Sequence, residues 1–455
     1  MEVKIIETRE VVPVHPPFDQ DHILPLSHLD NDRNVHVNFR YLRAYVNNRS
    51  TATPTTAAAA AAADPVQVIT EALSKALVYF YPYAGTLRRL PNDSRFSLFC
   101  SAGKGVPIIR AAADRTLTSL NYLDDPAAPY LDRLVPDPSQ GEDVVHPCVL
   151  QITVFACGGY CLGASIHHSM SDGYGSSLFF NAMVEFSRGA AQPSVQPVWD
   201  RASLLAPRKP PHVEVPFHEF LRLDKEFSPY RQETGPVARE CFAIKDDSLE
   251  SFKAELRNLS GSSFTTFEAL GAFIWRARVK ASNFAVDEKV KFAYLINIRK
   301  LMKPALPVGY YGNGCVAMYV PLSAKELVEQ PIWKTAELIK KSKSNATDEY
   351  VRSFIDFQEL HYSDGITAGK GVSGFTDWRH LGHSAVDFGW GGPVTVLPLS
   401  RNLLGSVEPC FFLPYSSANE GMKDGFKVLI SLPQTDMPTF REEMDKFSNI
   451  KLSTL

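Results

Sequence analysis

The chain has 455 residues, 45% of them apolar and 21% charged, which is the make-up of a globular protein long enough for two or three domains. A formal net charge of -3 gives no basic surface for nucleic acid or anionic lipid, so small molecules are the expected partners. Seven scattered cysteines in mostly apolar runs read as reduced core thiols, and no apolar run reaches the roughly 18 residues of a membrane span. Met1-Glu2-Val3-Lys4 begins no signal-peptide core, so the cytosol is the default expectation, and with nothing in the sequence to suggest an obligate interface a monomer is the default state.

Val3 to Val14 alternates branched apolar and charged residues and reads as a strand stopped by Pro16-Pro17, and Val35 to Val46 alternates again. Thr51 to Ala63 is low in complexity, ends in seven alanines, and reads as a solvated loop, with ordering into a short helix as the other reading. Val66, Ile69, Leu73, Leu77 and Phe80 share a helical face behind Asp64 as cap and Pro65 at the first position. Tyr81 to Leu87 turns that helix into a strand, and Arg95 to Arg110 adds two short ones.

Cys148 to Ala156 and Tyr160 to Ile166 read as a hairpin turning at Gly158-Gly159. It runs into His167-His168-Ser169-Met170-Ser171-Asp172-Gly173, after which Leu178, Phe179, Ala182, Met183 and Phe186 take helical spacing as far as Gly189. His168 therefore falls in a strand-to-helix loop, where a side chain can face a cavity while a sheet holds its backbone. An imidazole, with an ordinary pKa of about 6.5, is the side chain suited to proton transfer near neutrality. The bland alternative is a hydrogen-bonded core histidine. Strand alternation sends His167 to the opposite face, so only one of the pair can serve a shared cavity. Two histidines and an aspartate are also legitimate metal ligands, but adjacent histidines rarely hold one ion and no ligand-spaced motif accompanies them, so no metal is expected.

Trp199 to Val215 shifts to proline and basic residues and reads as a crossover, which divides the chain into 1–198, a connection 199–220, and 221–455. The second part offers a strand at Arg239 to Ile244 and helices at Asp247 to Leu256 and Thr265 to Ala281, the latter with a Thr265 to Glu268 capping box. A strand at Lys291 to Ile298, the Gly-punctuated loop Gly309 to Gly314, and a strand at Cys315 to Val320 follow. Helices at Ala324 to Lys341 and Asp348 to Glu359, a loop from Asp364 to Gly374, strands at Cys410 to Tyr415 and Gly425 to Leu432, and a helix at Thr439 to Phe447 complete the reading.

His168-x-x-x-Asp172-Gly173 and Asp387-Phe388-Gly389-Trp390-Gly391 resemble the two signatures of the plant BAHD acyl-CoA-dependent acyltransferases. Tyr81-Pro82-Tyr83-Ala84-Gly85-Thr86-Leu87, Phe267-Glu268-Ala269-Leu270 and Gly309-Tyr310-Tyr311-Gly312-Asn313 extend the resemblance over essentially the whole chain. It implies an α/β fold of two chloramphenicol-acetyltransferase-like domains, each a mixed sheet with flanking helices, and a channel at their interface. Acyl-CoA would be co-substrate, with no permanently bound cofactor, and His168 would be base and then acid. Thr376 and the Trp378 indole stand where the family places oxyanion donors, each typically worth about 2.7–4 kcal/mol; core packing is the other reading of Trp378. Asp172 would pair with Arg299, for which Asp387 also competes, while Asp387, Gly389 and Trp390 would be structural. Ser262, Ser263, Thr265, Trp275 and Arg276 are the implied coenzyme A contacts, a solvated helix face being the other reading of Arg276.

The leading expectation is transfer of a benzoyl, hydroxycinnamoyl or acetyl group to a hydroxyl of a plant specialised metabolite. N-acylation of an amine or polyamine is the near alternative, and it would favour an acidic acceptor mouth. A thioester hydrolase and a non-catalytic binding homologue are the alternatives from other classes. Tyr41, Phe375 and His380 are the expected wall residues.

Overall fold

The computed structural model describes residues 1–47, 64–89, 95–138, 144–226, 236–400, 409–418 and 424–448, so Thr51 to Ala63 lies outside the described residues. The first half contributes the strands Val3–Val11 (β1), Asn38–Tyr45 (β2), Val106–Ala113 (β3), Cys148–Phe155 (β4) and Tyr160–His167 (β5). The second half contributes Val237–Lys245 (β6), Lys289–Asn297 (β7), Cys315–Ser323 (β8), Val372–Asp377 (β9), Thr395–Pro398 (β10), Cys410–Leu413 (β11) and Gly425–Pro433 (β12).

These strands form two six-stranded sheets, in the orders β1-β3-β4-β5-β2-β10 and β6-β12-β11-β9-β7-β8. Both are mixed. β3 and β4 run parallel in the first, and β9 runs parallel to both β7 and β11 in the second. β5, at the centre of the first sheet, is buried along its whole length, which is why it reads as a largely continuous apolar run rather than as alternation.

Seven helices of the described residues matter here: Pro65–Ala76 (α1), Gly173–Ser187 (α2), Asp246–Ser260 (α3), Thr266–Ala281 (α4), Ile332–Ser342 (α5), Asp348–His361 (α6) and Met437–Ser448 (α7). Asp64 accepts the Val66 N–H at 3.0 Å to cap α1, and Thr265 with Glu268 forms the expected capping box of α4. α1 packs on α2 over a first core that holds Leu73, Leu150, Leu162 and Phe179, while α4 packs on α5 and α7 over a second that holds Leu270, Ile274, Phe292 and Ile339.

Two expectations need correction. The helix expected over Ala324 to Lys341 is two, Ala324–Glu329 and α5, because Pro331 forces Gln330 to an extended ψ of 153°. The division at 198 and 221 is also crossed. β10, from the far end of the chain, pairs antiparallel with β2, and Val386, Phe388 and Val394 join the first core. The first sheet is therefore completed by second-half residues, which fixes the two sheets against each other at the site.

Candidate active site

β5 ends at His167, and the next residue turns out of the sheet. The His168 N–H donates to Val37 O at 2.8 Å and its carbonyl accepts from Asn313 Nδ2 at 2.7 Å, so the backbone is held from both halves of the chain. The imidazole is part-exposed to a cavity of about 440 Å³ between the two sheets, edge-on to Phe39 at a centroid distance of 6.1 Å. Burial lowers its pKa below 6.5, an effect that the Asp172 carboxylate partly opposes. The ring is therefore neutral near pH 7 and free to accept a proton. His167 points the other way, among Phe96 and His36 in the first core, as alternation requires.

Asp172 turns away from that work. It caps α2 through Gly175 N–H at 2.9 Å and receives Arg299 Nη1 at 2.8 Å and Nη2 at 2.9 Å on its two oxygens. Gly314 N–H at 3.0 Å and Cys315 Sγ at 3.3 Å complete its partners. Burial works to raise the carboxyl's pKa, but Arg299 and the backbone donors outweigh it and hold the group below its ordinary value. Arg299 also donates to Tyr310 O and Gly312 O, so this one side chain gathers the loop before β8 around the start of α2. A side chain at Gly314 would place its Cβ 2.6 Å from the Arg299 guanidinium carbon, and one at Gly175 would meet Tyr311 O at 1.8 Å. Close approach, rather than flexibility, requires glycine at both positions.

Thr376 and Trp378, at the end of β9, both line the cavity with His168. The Trp378 ring lies 5.6 Å from Phe39, 6.0 Å from Tyr41 and 4.8 Å from His383, so packing and cavity lining are both true of it. Phe375 and Tyr41 also face the cavity, whereas His380 is exposed outside it and His383, three residues on, takes the wall position. Cys315 lines the cavity too, but burial above all pushes its thiol well up, so it offers no thiolate.

Asp387 does not compete for Arg299. Its Oδ2 receives Arg188 Nη2 at 3.0 Å, while Oδ1 accepts the N–H groups of Gly389 at 2.8 Å and Gly391 at 2.9 Å. Trp390 stands edge-on to Tyr160 at 5.6 Å. The Asp387 to Gly391 turn thus clamps the far end of β5 and is not part of the cavity lining.

The residues implied for coenzyme A separate into two groups. Ser263 and Thr265 are exposed and Ser262 is half-buried at the head of α4, beside Phe267 and Lys343, which line the cavity. Trp275 is a correction: it is fully buried, stacked at a tilt on Phe292 at 5.7 Å, with no surface to give a ligand. Arg276 is another, because its guanidinium is spent on Leu327 O and Gln330 O, closing the helix break at Pro331. A largely apolar sixteen-residue helix with two arginines does not reveal which turn faces the core.

Asn313 falls within the Gly309 to Asn313 segment of the resemblance, but the sequence assigned it no role in the site. It donates to His168 O and, by its N–H and Nδ2, to the Asp30 carboxylate at 2.8 and 2.9 Å, tying three distant segments together. Its position between Gly312 and Gly314 was the available signal.

The model of the Transferase family matches residues 1–447. The chain is 35% identical over 390 residues to spermidine sinapoyl-CoA acyltransferase of Arabidopsis thaliana, covering 84% of this chain and 85% of that one. It is 34% identical over 387 residues to 3'-N-debenzoyl-2'-deoxytaxol N-benzoyltransferase of Taxus canadensis, with 84% and 85% covered. It is 32% identical over 455 residues to (Z)-3-hexen-1-ol acetyltransferase of Arabidopsis thaliana, with 98% and 95% covered. Among solved structures, vinorine synthase superposes with a TM-score of 0.71 at 20% identity, covering 98% of each chain. TRI101 of F. sporotrichioides, complexed with coenzyme A and T-2, superposes with a TM-score of 0.74 at 16% identity, covering 93% of this chain and 98% of that one. At these identities the superpositions carry the fold, and the expected α/β arrangement of two mixed sheets with flanking helices is the one found. Among the described residues no helix is long and apolar enough to cross a membrane.

Proposed function

This chain belongs to the BAHD acyl-CoA-dependent acyltransferases, the Transferase family, and from that premise we propose that it moves an acyl group from coenzyme A to a neutral hydroxyl of a small molecule, with His168 as the base. The acceptor O–H attacks the thioester carbonyl as neutral His168 takes its proton, and the tetrahedral intermediate then collapses by breaking the C–S bond. The same imidazole returns the proton to the departing thiolate, so no acyl-enzyme forms. Thr376 and Trp378 are placed on the cavity wall, where an oxyanion could take a hydrogen bond. Asp172 and Arg299 act by fixing the loops that present His168. The thioester arm reaches the cavity past Phe267 and Lys343 from the Ser262 to Thr265 side.

The observation that favours a hydroxyl over a polyamine is the state of the carboxylates. Among the described residues that line the cavity, Asp172 is engaged by Arg299 and Asp377 by Arg379 Nη2 at 2.6 Å, so neither is left to counter a protonated amine. A polycationic acceptor would lose hydration there without a compensating charge. The sinapoyl-spermidine relative makes amine acylation the rival to test against.

The test is thiol release from acetyl-, benzoyl- and hydroxycinnamoyl-CoA with pooled alcohols or pooled amines. Release that requires alcohols is expected. Release that requires amines would replace the hydroxyl reading, and release with neither acceptor present would make the protein a hydrolase.

A further inference from the structure

β2 presents Phe39, Tyr41 and Arg43 on one face. The first two line the cavity, and the third lies behind His383, whose ring forms part of the wall. Arg43 is completely buried, and no carboxylate pairs with it among the described residues. Its Nη2 donates to His383 Nδ1 at 3.0 Å, its guanidinium carbon sits 4.2 Å from the Phe180 ring centre and 4.9 Å from that of Tyr41, and its Nε and Nη1 have no hydrogen-bond partner.

That contact fixes the histidine. Arg43 can only donate, so Nδ1 holds a lone pair, and the proton of the neutral ring resides on Nε2. Burial and the neighbouring guanidinium both keep the ring neutral. His383 Nε2–H is buried and has no partner. A polarised N–H donor backed by a full positive charge therefore sits, itself unexposed, just behind the stretch of wall that the His383 ring shares with Tyr41 and Trp378, in a cavity whose lining is mostly apolar.

We propose that Arg43 and His383 form a recognition subsite for an oxygen function that the acyl acceptor carries away from its reacting hydroxyl. His383 Nε2–H donates to that oxygen, and Arg43 sets the tautomer and supplies the charge. The oxygen of a carboxylate or of an ester carbonyl meets the same donor, and a carboxylate would in addition neutralise Arg43. This rests on the hydroxyl-acylation reading above. An acceptor with only hydrocarbon at that end leaves the donor and the guanidinium unpaired, which is how a polar site rejects an apolar analogue.

The experiment uses benzoyl-CoA with three acceptors of similar shape: para-(hydroxymethyl)benzoate, its methyl ester, and para-propylbenzyl alcohol. Wild type is expected to favour an oxygen-bearing acceptor by about tenfold or more in kcat/KM. His383→Leu should erase that ratio by raising KM for the oxygen-bearing acceptors, and His383→Gln, which keeps an N–H donor, should retain part of it. Carboxylate ahead of ester shows that Arg43's charge is read, and parity between them shows that the N–H alone is read. A wild-type ratio near one, an equal loss on all three acceptors in His383→Leu, or a change confined to the KM of benzoyl-CoA would overturn the subsite. If no alcohol supports thiol release, the hydroxyl reading fails separately, and calorimetry with para-(hydroxymethyl)benzoate decides the subsite: about tenfold weaker binding by His383→Leu upholds it, and equal binding removes it.

Discussion

Asp172 and Arg299 meet fork to fork, with Nη1 2.8 Å from Oδ2 and Nη2 2.9 Å from Oδ1, and the pair joins the start of α2 to the loop before β8. Both side chains are buried, so removing one partner leaves a charge without compensation. Asp172→Ala is expected to cost about 3–5 kcal/mol in urea unfolding, and Arg299→Lys should also be costly because a point charge cannot reproduce the fork. By contrast Asp387→Ala, which loses an exposed pair with Arg188 and two turn hydrogen bonds, should leave thiol release largely intact. Comparable stability for Asp172→Ala and wild type would refute the structural role assigned to this pair.

His168→Ala removes the base, a side chain whose Nδ1 has no hydrogen-bond partner. Turnover is expected to fall by about 10²–10⁴ while the unfolding midpoint stays close to wild type. Because burial lowers this imidazole's pKa below 6.5, kcat/KM should hold on the acid side and decline only as pH drops through a value under 6.5, where the ring is protonated and can no longer accept. An acid limb centred above pH 7 would contradict the environment described for His168.

Acid should also unfold this protein by way of histidines that take no part in catalysis. Burial drives His167 down to about 3 and His36 well below 6.5, so both stay neutral in the fold while the unfolded chain protonates near 6.5. The unfolded state then binds more protons, and stability falls as pH decreases from about 6.5 towards 3, by up to about 1.4 kcal/mol per pH unit for each such group. Asp172, whose carboxyl is held below 3.8, adds a second loss at lower pH, once the unfolded carboxyl begins to bind protons that the native pair resists. Urea midpoints measured from pH 7 to pH 4 check this. His36→Phe, which keeps the contact with Phe96 and removes the titrating ring, should flatten the slope, and an unchanged slope would place the sensitivity elsewhere.

What the residue order made legible was whatever depends on local chemistry. The hairpin into His168, the helix that follows Asp172-Gly173 and the Thr265 capping box each follow from neighbours within a few positions, and each is where the spacing placed it. What it concealed depends on pairs far apart in the chain. Nothing near Thr395 announces that it pairs with Ala44, and Asn313 gains its importance from Asp30 and His168, which lie 283 and 145 positions away. Trp275 and Arg276 were misread for a related reason: the helix is apolar enough on several faces that its pattern does not say which turn meets ligand and which meets Phe292 or the break at Pro331. His380 and His383 differ by three positions, and only the turn at Gly382, with φ of 76°, decides which of them enters the wall.

Arg43 offers a final test in which function and stability should move in opposite directions. A guanidinium with no solvent exposure costs several kcal/mol to desolvate. Against that stand one N–H···N bond to His383 and two cation–π contacts, to Phe180 and Tyr41, of about 2 kcal/mol each at best. Arg43→Met keeps an unbranched side chain between the rings and removes the charge, so it should leave stability unchanged or raise it by about 1–2 kcal/mol. It should at the same time release His383 Nδ1 from its donor, let the ring exchange tautomers, and weaken discrimination between oxygen-bearing and hydrocarbon acceptors. Arg43→Lys should be the worse protein, since a compact ammonium hydrates more strongly and stacks less well on the two rings. A loss of more than about 2 kcal/mol in Arg43→Met, read from the urea midpoint, would mean that Arg43 is held for packing rather than for recognition.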